Sequence, residues 1–523
     1  MLHVRTTTTA SGATAVQVIR YLYRRRIIVK HIGSAHNPED LTSLKKIASQ
    51  WIEHAFHQPA LFPLDKKETI LPLVSIDKLR NLGFRYTFAY ETLTSLLGMF
   101  GLSDKKYKLL LDLVMIRIIQ PASKLESFTL LAELFAIHHD RNVFYRSLPN
   151  FVGAKEPVEK SVIALAFKHF YFDFHIVFYD VTTLYFESFT EDEDKLDTEG
   201  NIIEKGLKKD GFSKDLKFNQ PQIVIGLIVT KEGFPISYEI FEGNTFEGDT
   251  FIPVITGFKK KHAIESLTVV ADAAMISFDN IKKLKANSLS YIVGGRMANL
   301  KRNEMEEVSK ALIGQSPEQS ELKKQDGTST RIDTERGLLI CDFSFKRYLK
   351  DKREMDKQIA KAKLQLKKND GGKRVKFLKN KEKKKTEQIL NSELIEKTTL
   401  LLGIKGYYTN LVDTDNKTII DHYHNLWQVE KAFRIAKSDL QMRPIYHFKR
   451  PTIEAHILIC FMALAACKYI ELKTKKSTKI IIKLLKQVTD ARILHTLTNE
   501  EIILRSEIST ETEKILAMLS LSH

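Results

Sequence analysis

The sequence predicts a mixed α/β protein with a large lysine-rich insertion, preceded by a strand hairpin and a helical region. Short apolar, β-branched runs cluster between residues 175 and 295, and a helical stretch at residues 248–262 lies among them. This order is typical of a mixed sheet with helices packed on it. Residues 297–400 interrupt the order with polar, basic sequence. The chain length allows roughly two to four structural units.

The first predicted region, residues 1–165, begins with strands and continues with helices. Residues 1–35 alternate like a strand hairpin around the turn sequence ASGA, and a helical pattern extends from residue 37 to residue 168. Pro121 should separate two helices there, because proline cannot continue a helix.

The remaining chain is predicted to hold a catalytic core divided by the insertion. The apolar runs of the first core part, residues 166–296, are residues 175–187, 221–230, 234–243, 267–275 and 289–295. The basic insertion, residues 297–400, contains a long exposed helix near residues 346–368. Residues 401–474 form the second core part, and residues 475–523 are predicted to be a helical C-terminal tail.

Positive charge is concentrated in the insertion. The net charge of the chain is +17, and residues 345–386 contain 18 Lys and Arg against five Asp and Glu. Such an array favours a polyanion partner, because Lys and Arg displace counterions from phosphates. A solvated helical hairpin that binds nothing would explain the charge equally well. The predicted DNA-binding residues of this segment are Lys361, Lys363, Lys373, Arg374 and Lys376.

The cysteines and the hydropathy of the chain indicate where in the cell the protein is located. Cys341, Cys460 and Cys467 form neither a disulfide framework nor a zinc motif, so we expect a reducing cytoplasmic location. The apolar residues 453–471 approach membrane length, but polar side chains interrupt them, which favours a buried core helix and no membrane partner. Residues 1–26 lack the apolar core and cleavage site of a secretory signal.

Two acids interrupt apolar strand sequence. Asp180 lies within HIVFYDVTTLYFES, and Asp272 follows a β-branched run in TVVADAAM. Burying an unpaired carboxylate is costly, so such an acid normally finds a partner, shifts its pKa or binds a metal. An acid at the end of a buried strand can contribute to a site at the sheet edge. A lone Asp at a strand end is more often a cap or turn residue.

A third acid lies in a predicted helix at residues 421–447. At about 100° per residue, one narrow face carries aromatic and polar side chains: Tyr423, Trp427, Glu430, Arg434, Lys437 and Gln441. An apolar stripe lies beside this face. Pairing at i,i+4 on an ordinary amphipathic helix would explain the charges, but the clustered aromatics favour a functional site.

Three carboxylates with nearby cations suit phosphodiester chemistry. Two divalent metal ions about 4 Å apart take anionic oxygen ligands and stabilise the attacking and leaving oxygens. Lys, Arg and Tyr side chains can hold the DNA backbone beside them. Bound metal would also compensate the charge of a buried acid.

These residues resemble those of DDE transposases of prokaryotic insertion sequences, in the group with the Tyr-x2-Arg-x3-Glu-x6-Lys (YREK) signature. Tyr423, Glu430 and Lys437 match the signature with its spacing, and Leu426 stands where the signature has Arg. Asp180 and Asp272 resemble the first and second catalytic acids of the family. The resemblance extends over roughly residues 1–470.

The resemblance implies a ribonuclease H-like catalytic core that cleaves DNA at the ends of the element and then joins a 3′-hydroxyl to target DNA. It implies two Mg²⁺ (or Mn²⁺) ions per active site, with Asp180, Asp272 and Glu430 as catalytic residues and metal ligands. Tyr423 and Lys437 would contact DNA, and we predict the same role for Trp427 and Arg434.

The expected partners are double-stranded DNA, as the terminal inverted repeats and the target, and a second copy of the chain in a homodimer. Residues 1–165 would recognise the terminal repeats, and a prokaryotic protein of this kind would be nucleoid-associated. Two alternatives remain: a catalytically inactive, transposon-derived DNA-binding protein, and a metal-dependent nuclease that cuts without joining.

Overall fold

The computed structural model describes residues 2–56, 78–102, 104–275, 277–314, 318–368, 375–381 and 384–521. The chain divides into two compact units. The first unit contains Met1–Ser95, Phe128–His139 and Ser477–His523, and the second contains Leu96–Ser127 and Asp140–Lys476. The division of the chain into functional regions that we predicted from the sequence stays a prediction.

The strands are β1 (Leu2–Thr8), β2 (Thr14–Leu22), β3 (Arg25–Ala35), β4 (Leu79–Arg85), β5 (Ile176–Tyr185), β6 (Lys195–Leu196), β7 (Ile202–Glu204), β8 (Gln222–Val229), β9 (Pro235–Glu242), β10 (Thr268–Ala271), β11 (Ser290–Gly295), β12 (Ser329–Thr334), β13 (Gly337–Phe343), β14 (Leu378–Lys381), β15 (Lys384–Leu390), β16 (Ile404–Thr409), β17 (Asp490–His495) and β18 (Glu500–Arg505).

The α-helices are α1 (Pro38–Phe56), α2 (Thr87–Gly98), α3 (Lys108–Ile119), α4 (Lys124–Phe135), α5 (Arg141–Gly153), α6 (Lys155–Phe170), α7 (Glu247–Lys261), α8 (Phe278–Ala286), α9 (Arg302–Leu312), α10 (Gln319–Lys324), α11 (Phe345–Lys368), α12 (Ser392–Leu400), α13 (Asn416–His424), α14 (Trp427–Arg434), α15 (Arg450–Thr474), α16 (Thr478–Gln487) and α17 (Thr510–Met518). The break predicted at Pro121 separates α3 from α4.

The first unit contains two small antiparallel sheets. β1, β2 and β3 form one sheet, so the predicted N-terminal hairpin is present and gains a third strand. Helix α1 packs on it, with Val16 and Val18 against Leu44 and Ala48 in the buried core. The second sheet has the order β18-β17-β4.

The prediction of a helical tail at residues 475–523 is wrong for β17 and β18. The sequences DARILH and EEIILR pair in an antiparallel hairpin, and β17 also pairs with β4. Because β4 precedes β17 by some four hundred residues, the sheet that stabilises the hairpin cannot be inferred from local pattern. Strand β4 likewise interrupts the region that the pattern predicts to be helical.

The second unit is built around an eight-stranded mixed sheet with the order β12-β13-β16-β11-β10-β5-β8-β9. β5, β10 and β11 are parallel to one another, while β8 and β9 extend the sheet antiparallel to β5. All five apolar runs predicted between residues 175 and 295 are strands of this sheet. Helix α7 lies between β9 and β10 in the chain, at the predicted position. The predicted mixed α/β architecture is therefore confirmed.

The basic insertion is only partly separate from this sheet. Its strands β12 and β13 continue the sheet beyond β16. Helix α11 confirms the predicted long exposed helix, and a strand hairpin, β14–β15, follows it. Ala362, Val375 and Phe377 form a small buried core in this part. The segment is thus a folded helix and strand hairpin and differs from the helical hairpin considered above.

Helix α15 is the apolar segment that approaches membrane length. It is long and apolar enough to cross a membrane by length and composition, but 94% of its most apolar window is buried inside the protein. Cys460 and Cys467 are buried along it. The interpretation as a core helix agrees with this burial.

Candidate active site

Two of the predicted catalytic acids are positioned by adjacent parallel strands: Asp180 lies within β5, and Asp272 directly follows β10. The register of β5 and β10 pairs Tyr179 with Ala271, so the next residue along each strand is Asp180 and Asp272, respectively. Neighbouring strands lie about 4.8 Å apart. The sheet therefore places side by side two carboxylates that are far apart in the sequence.

Asp180 lies within β5 and is partly buried. Its Oδ1 accepts a hydrogen bond from the Val181 N–H at 2.7 Å. Burial raises the pKa of Asp180 to about 6, and the negative charge of Asp272 acts in the same direction, whereas Lys214 and the Val181 N–H oppose it. Nζ of Lys214 donates to the Val181 carbonyl at 2.6 Å and pairs with Glu247 at 2.9 Å. The site thus holds a carboxylate whose charge is incompletely compensated by protein groups.

Tyr423 connects Asp272 to the helical side of the site. Its hydroxyl donates to Oδ1 of Asp272 at 3.2 Å. Burial raises the pKa of Tyr423, and the charges of Asp272, Glu430 and Asp180 raise it further. All three predicted catalytic acids therefore act electrostatically on one neutral hydroxyl.

Gly294 makes room for this hydroxyl. β11 pairs with β10 so that Val293 lies opposite Ala271, which places Gly294 beside Asp272. A Cβ on Gly294 would lie 2.5 Å from the Tyr423 hydroxyl oxygen, well inside contact distance. Glycine at this position is therefore a requirement of the Tyr423–Asp272 contact.

The helix predicted at residues 421–447 is not continuous. α13 ends at His424, α14 begins at Trp427, and a π-helical turn spans Ile435–Asp439. A uniform rotation per residue therefore does not describe the whole segment. Tyr423 is buried, while Trp427, Glu430 and Arg434 are exposed.

Asp272 and Glu430 line a cavity of about 550 Å³. The lining includes acids, aromatic residues and cations: Asp272, Glu430, Tyr423, Trp427, Lys405 and Arg347. Leu426, at the signature Arg position, also lines it and is 5% exposed. Asp180, Arg434 and Lys437 are not part of this lining. The structure thus gathers Tyr423, Trp427 and Glu430 from the predicted face and adds two cations to them.

Lys437 lies in the π-helical turn and is held by an acid. Its Nζ is 3.3 Å from Asp215 Oδ2, and Arg443 contacts the other oxygen of Asp215 at 2.5 Å. Burial lowers the pKa of Lys437, and Asp215 opposes that shift. In this arrangement Lys437 and Arg443 share one carboxylate beside the site.

Three of the predicted DNA-binding residues of the insertion, Lys361, Lys363 and Lys376, are not part of the cavity lining. Lys361 and Lys363 are exposed on α11, and Lys376 is exposed with its Nζ 5.4 Å from the Phe377 ring centroid. Lys373 and Arg374 lie outside the described residues. The exposed lysines leave their charges available to a polyanion.

The acids fit a divalent metal in their chemistry. Carboxylate oxygens are the ligands that Mg²⁺ and Mn²⁺ prefer, and the incompletely compensated charge of Asp180 is of the sign that a cation would neutralise. Over the described ranges, no group of three His, Cys, Asp or Glu side chains is close enough to hold a metal ion. Asp180 and Asp272 are therefore the neighbouring pair of donors, and the three acids are not gathered into one ligand set.

Residues 220–466 match the family described as "Transposase DDE domain". The match supports a DDE transposase. It covers a little under half of the chain and includes Asp272 and Glu430, while Asp180 precedes it. Among solved structures, the chain is similar to "Mos1 transposase paired-end complex with left transposon end", with 11% sequence identity and a TM-score of 0.16 over 47% of this chain and 66% of that chain. The chain thus spans just under two thirds of that protein. No curated protein matches.

Sequence reasoning missed four charged residues of this site. Lys214 and Asp215 lie in the loop before β8, and Arg347 and Lys405 come from α11 and β16. The adjacent pair Lys214–Asp215, in a polar loop between two apolar strands, was a visible signal. Arg347 and Lys405 carried none, because each resembles many other cations of a basic chain.

Proposed function

We propose that the chain is a DNA transposase that cleaves DNA at the ends of an insertion sequence and joins the freed 3′-hydroxyl to target DNA. Asp180, Asp272 and Glu430 are its catalytic acids. Double-stranded DNA, as terminal repeats and target, is the substrate, and a homodimer in the prokaryotic cytoplasm is the proposed working form. The five strands β9-β8-β5-β10-β11 constitute the proposed ribonuclease H-like core.

One observation carries this proposal. Within a cavity formed largely by the region that matches the transposase domain, Asp272 and Glu430 lie with Tyr423, and Asp180 occupies the strand position next to Asp272. A structural role for these acids would pair each with a cation, yet Asp180 keeps a pKa raised to about 6. A perturbed carboxyl group next to a cleft favours a functional site.

The proposed cofactor is Mg²⁺ or Mn²⁺, two ions per site, with Asp180, Asp272 and Glu430 as ligands. Because the three acids are not gathered into one ligand set in this structure, metal binding would have to draw Glu430 towards the two aspartates. Bound ions of this kind activate the attacking hydroxyl and neutralise charge that develops on the leaving oxygen. Tyr423 orients Asp272 through its hydrogen bond, and Trp427 offers an exposed ring at the mouth on which a base or sugar can pack. Arg434 and Lys437 contact the DNA backbone beside the site.

The exposed lysines of α11 would hold more distant DNA phosphates, and residues 1–165 would recognise the terminal repeats. These roles separate binding from chemistry. Variants of the acids should therefore bind the element's ends and leave them uncut.

The test is an assay of cleavage and joining on duplex DNA that carries the genomic ends of the element. The wild type is compared with Asp180→Asn, Asp272→Asn and Glu430→Gln, each in Mg²⁺, in Mn²⁺ and in EDTA. Exposed Asp413→Asn is the matched control. We expect metal-dependent cleavage and joining by the wild type and the control, and a loss of at least about a thousandfold in the three variants.

Other outcomes assign other functions. A wild type that binds the ends and never cuts them would support the inactive DNA-binding protein. Cleavage without joined products would identify a nuclease. Full activity in any of the three acid variants would remove that acid from the proposed catalytic set.

A further inference from the structure

The residue at the signature Arg position cannot supply a positive charge. Leu426 is buried and contributes an apolar side chain to the cavity lining. A site for phosphodiester chemistry nonetheless needs cations that hold the phosphate next to its acids, because phosphate and carboxylates repel each other. The cavity contains two such cations, Lys405 and Arg347.

Lys405 projects from β16 towards the acids. Its Nζ lies 4.5 Å from the centroid of the Tyr423 ring and 5.7 Å from that of Tyr407. Burial and the charge of Arg347 lower the pKa of Lys405, whereas Asp342, Asp272 and Glu430 raise it. Asp342 already accepts a hydrogen bond from the Tyr407 hydroxyl at 2.7 Å.

The Lys405 ammonium keeps its hydrogen-bonding capacity. Across the part of the chain that the structure describes, it has aromatic faces as neighbours and no carboxylate within 4.0 Å. An ammonium carries three donors, and a ring face satisfies them only weakly. A half-buried amine with open donors, directed into a cavity, is suited to an anion.

Arg347 comes from the first turn of α11, in the basic insertion. Its side chain is 47% exposed, and its Nε lies 3.5 Å from Asp351 Oδ2. Asp351 also accepts from the Gly403 N–H at 3.3 Å. This contact fixes one edge of the guanidinium and leaves the remaining N–H groups for a second ligand, and paired N–H groups match a phosphate well.

We propose that Lys405 and Arg347 bind a DNA phosphate in this cavity, where Leu426 offers no positive charge. The inference rests on the proposed transposase function and adds to it the residues that hold the scissile strand. It also gives the insertion a direct part in the active site, because α11 supplies Arg347. In this arrangement the acids bind the metal ions, and the two cations bind the phosphate.

A competing role is that of a counter-ion. In that role Lys405 would only offset the charges of Asp272 and Glu430 until metal binds and would not touch DNA. The two roles predict different measurements. A phosphate contact releases a counterion from DNA, so its loss reduces the salt dependence of DNA binding. A counter-ion to the acids competes with the metal, so its loss lowers the metal concentration that cleavage needs.

The experiment measures binding of the full-length protein to a fluorescent duplex of one genomic end, in EDTA, over a series of salt concentrations. The variants are Lys405→Gln and Arg347→Gln, with Lys405→Arg as the conservative variant. Lys310→Gln, an exposed lysine of α9, is the control for loss of one charge. Circular dichroism verifies the fold, and the Mn²⁺ concentration for half-maximal cleavage is measured in parallel.

We expect Lys405→Gln and Arg347→Gln each to weaken binding about tenfold and to reduce the salt slope by about one unit. Lys405→Arg should retain the wild-type slope, and Lys310→Gln should differ little from the wild type.

Unchanged slopes in both Gln variants, with a wild type that cuts the DNA, would overturn this inference and leave the proposed function standing. A lower half-maximal Mn²⁺ concentration in Lys405→Gln, with an unchanged slope, would establish the counter-ion role instead. A wild type that neither binds nor cuts would refute the proposed function itself.

Discussion

Replacement of Asp180 by Asn should stabilise the fold while it abolishes catalysis. Burial and Asp272 raise the pKa of Asp180 from 3.8 to about 6, so the folded protein bears a cost whenever this group is ionised. The shift is about 2 units, and each unit corresponds to ~1.4 kcal/mol, which gives a cost of about 3 kcal/mol at neutral pH. Asn keeps the Oδ1 acceptor for the Val181 N–H and carries no charge.

The pH dependence follows from the sign of the shift. A raised pKa in the folded state favours the protonated form, so the wild type is most stable, with respect to this group, below pH 3.8 and loses that stability as the pH rises through about 6. The advantage of Asp180→Asn should therefore approach about 3 kcal/mol at pH 7 to 8 and vanish near pH 4.

Urea unfolding monitored by circular dichroism from pH 4 to pH 8 measures this difference, with exposed Asp413→Asn as the control. A variant less stable than the wild type at pH 8, or a difference independent of pH, would refute the reasoning. Mn²⁺ should oppose this advantage, because a ligand at a hundredfold its Kd adds about 2.7 kcal/mol to the protein that binds it, which nearly cancels the difference at pH 8. At about a thousandfold its Kd the ligand adds about 4.1 kcal/mol, and the order should reverse. At Mn²⁺ concentrations below saturation, cleavage by the wild type should fall as the pH drops below about 6, because protons compete with the metal for Asp180.

The remaining predictions concern the glycine beside the site and the basic helix. Gly294→Ala places a Cβ 2.5 Å from the Tyr423 hydroxyl oxygen, so we expect unfolding free energy to fall by about 1–3 kcal/mol and cleavage to decrease. Gly257→Ala, on the exposed side of α7 with nothing within 4 Å of the added Cβ, should instead raise stability by up to about 1 kcal/mol; equal effects would contradict the steric argument. Neutralising Lys361 and Lys363 to Gln should weaken DNA binding and reduce its salt slope by about one unit per lysine, and an unchanged slope would show that this helix is a solvated surface.

Glu430, the third predicted acid, shows how much of the site can be predicted from helical rotation alone. The spacing of Tyr423 and Glu430 placed both on one face, and the structure brings both to one cavity. Arg434 and Lys437, predicted for the same face, are not part of its lining. Lys437 lies in the π-helical turn that replaces the α-helix from Ile435. Such breaks depend on packing against the sheet, which a fixed rotation per residue ignores.

The sequence by itself determined the local elements of the core. Strands such as β5 and β8 and the helix α7 were predictable because continuous apolar, β-branched runs and amphipathic periodicity are local properties of the chain. The same runs made Asp180 conspicuous, since an acid within them has no local explanation.

The tertiary structure alone decided which distant residues meet. The parallel register of β5 and β10 places Asp180 beside Asp272, and the sheet order places β16 and the insertion close enough for Lys405 and Arg347 to line the same cavity. One lysine in a chain of net charge +17 is like many others until its neighbours are known. Strand order and register arise from non-local pairing and packing, so the two cations of the cavity could be recognised only in the folded chain.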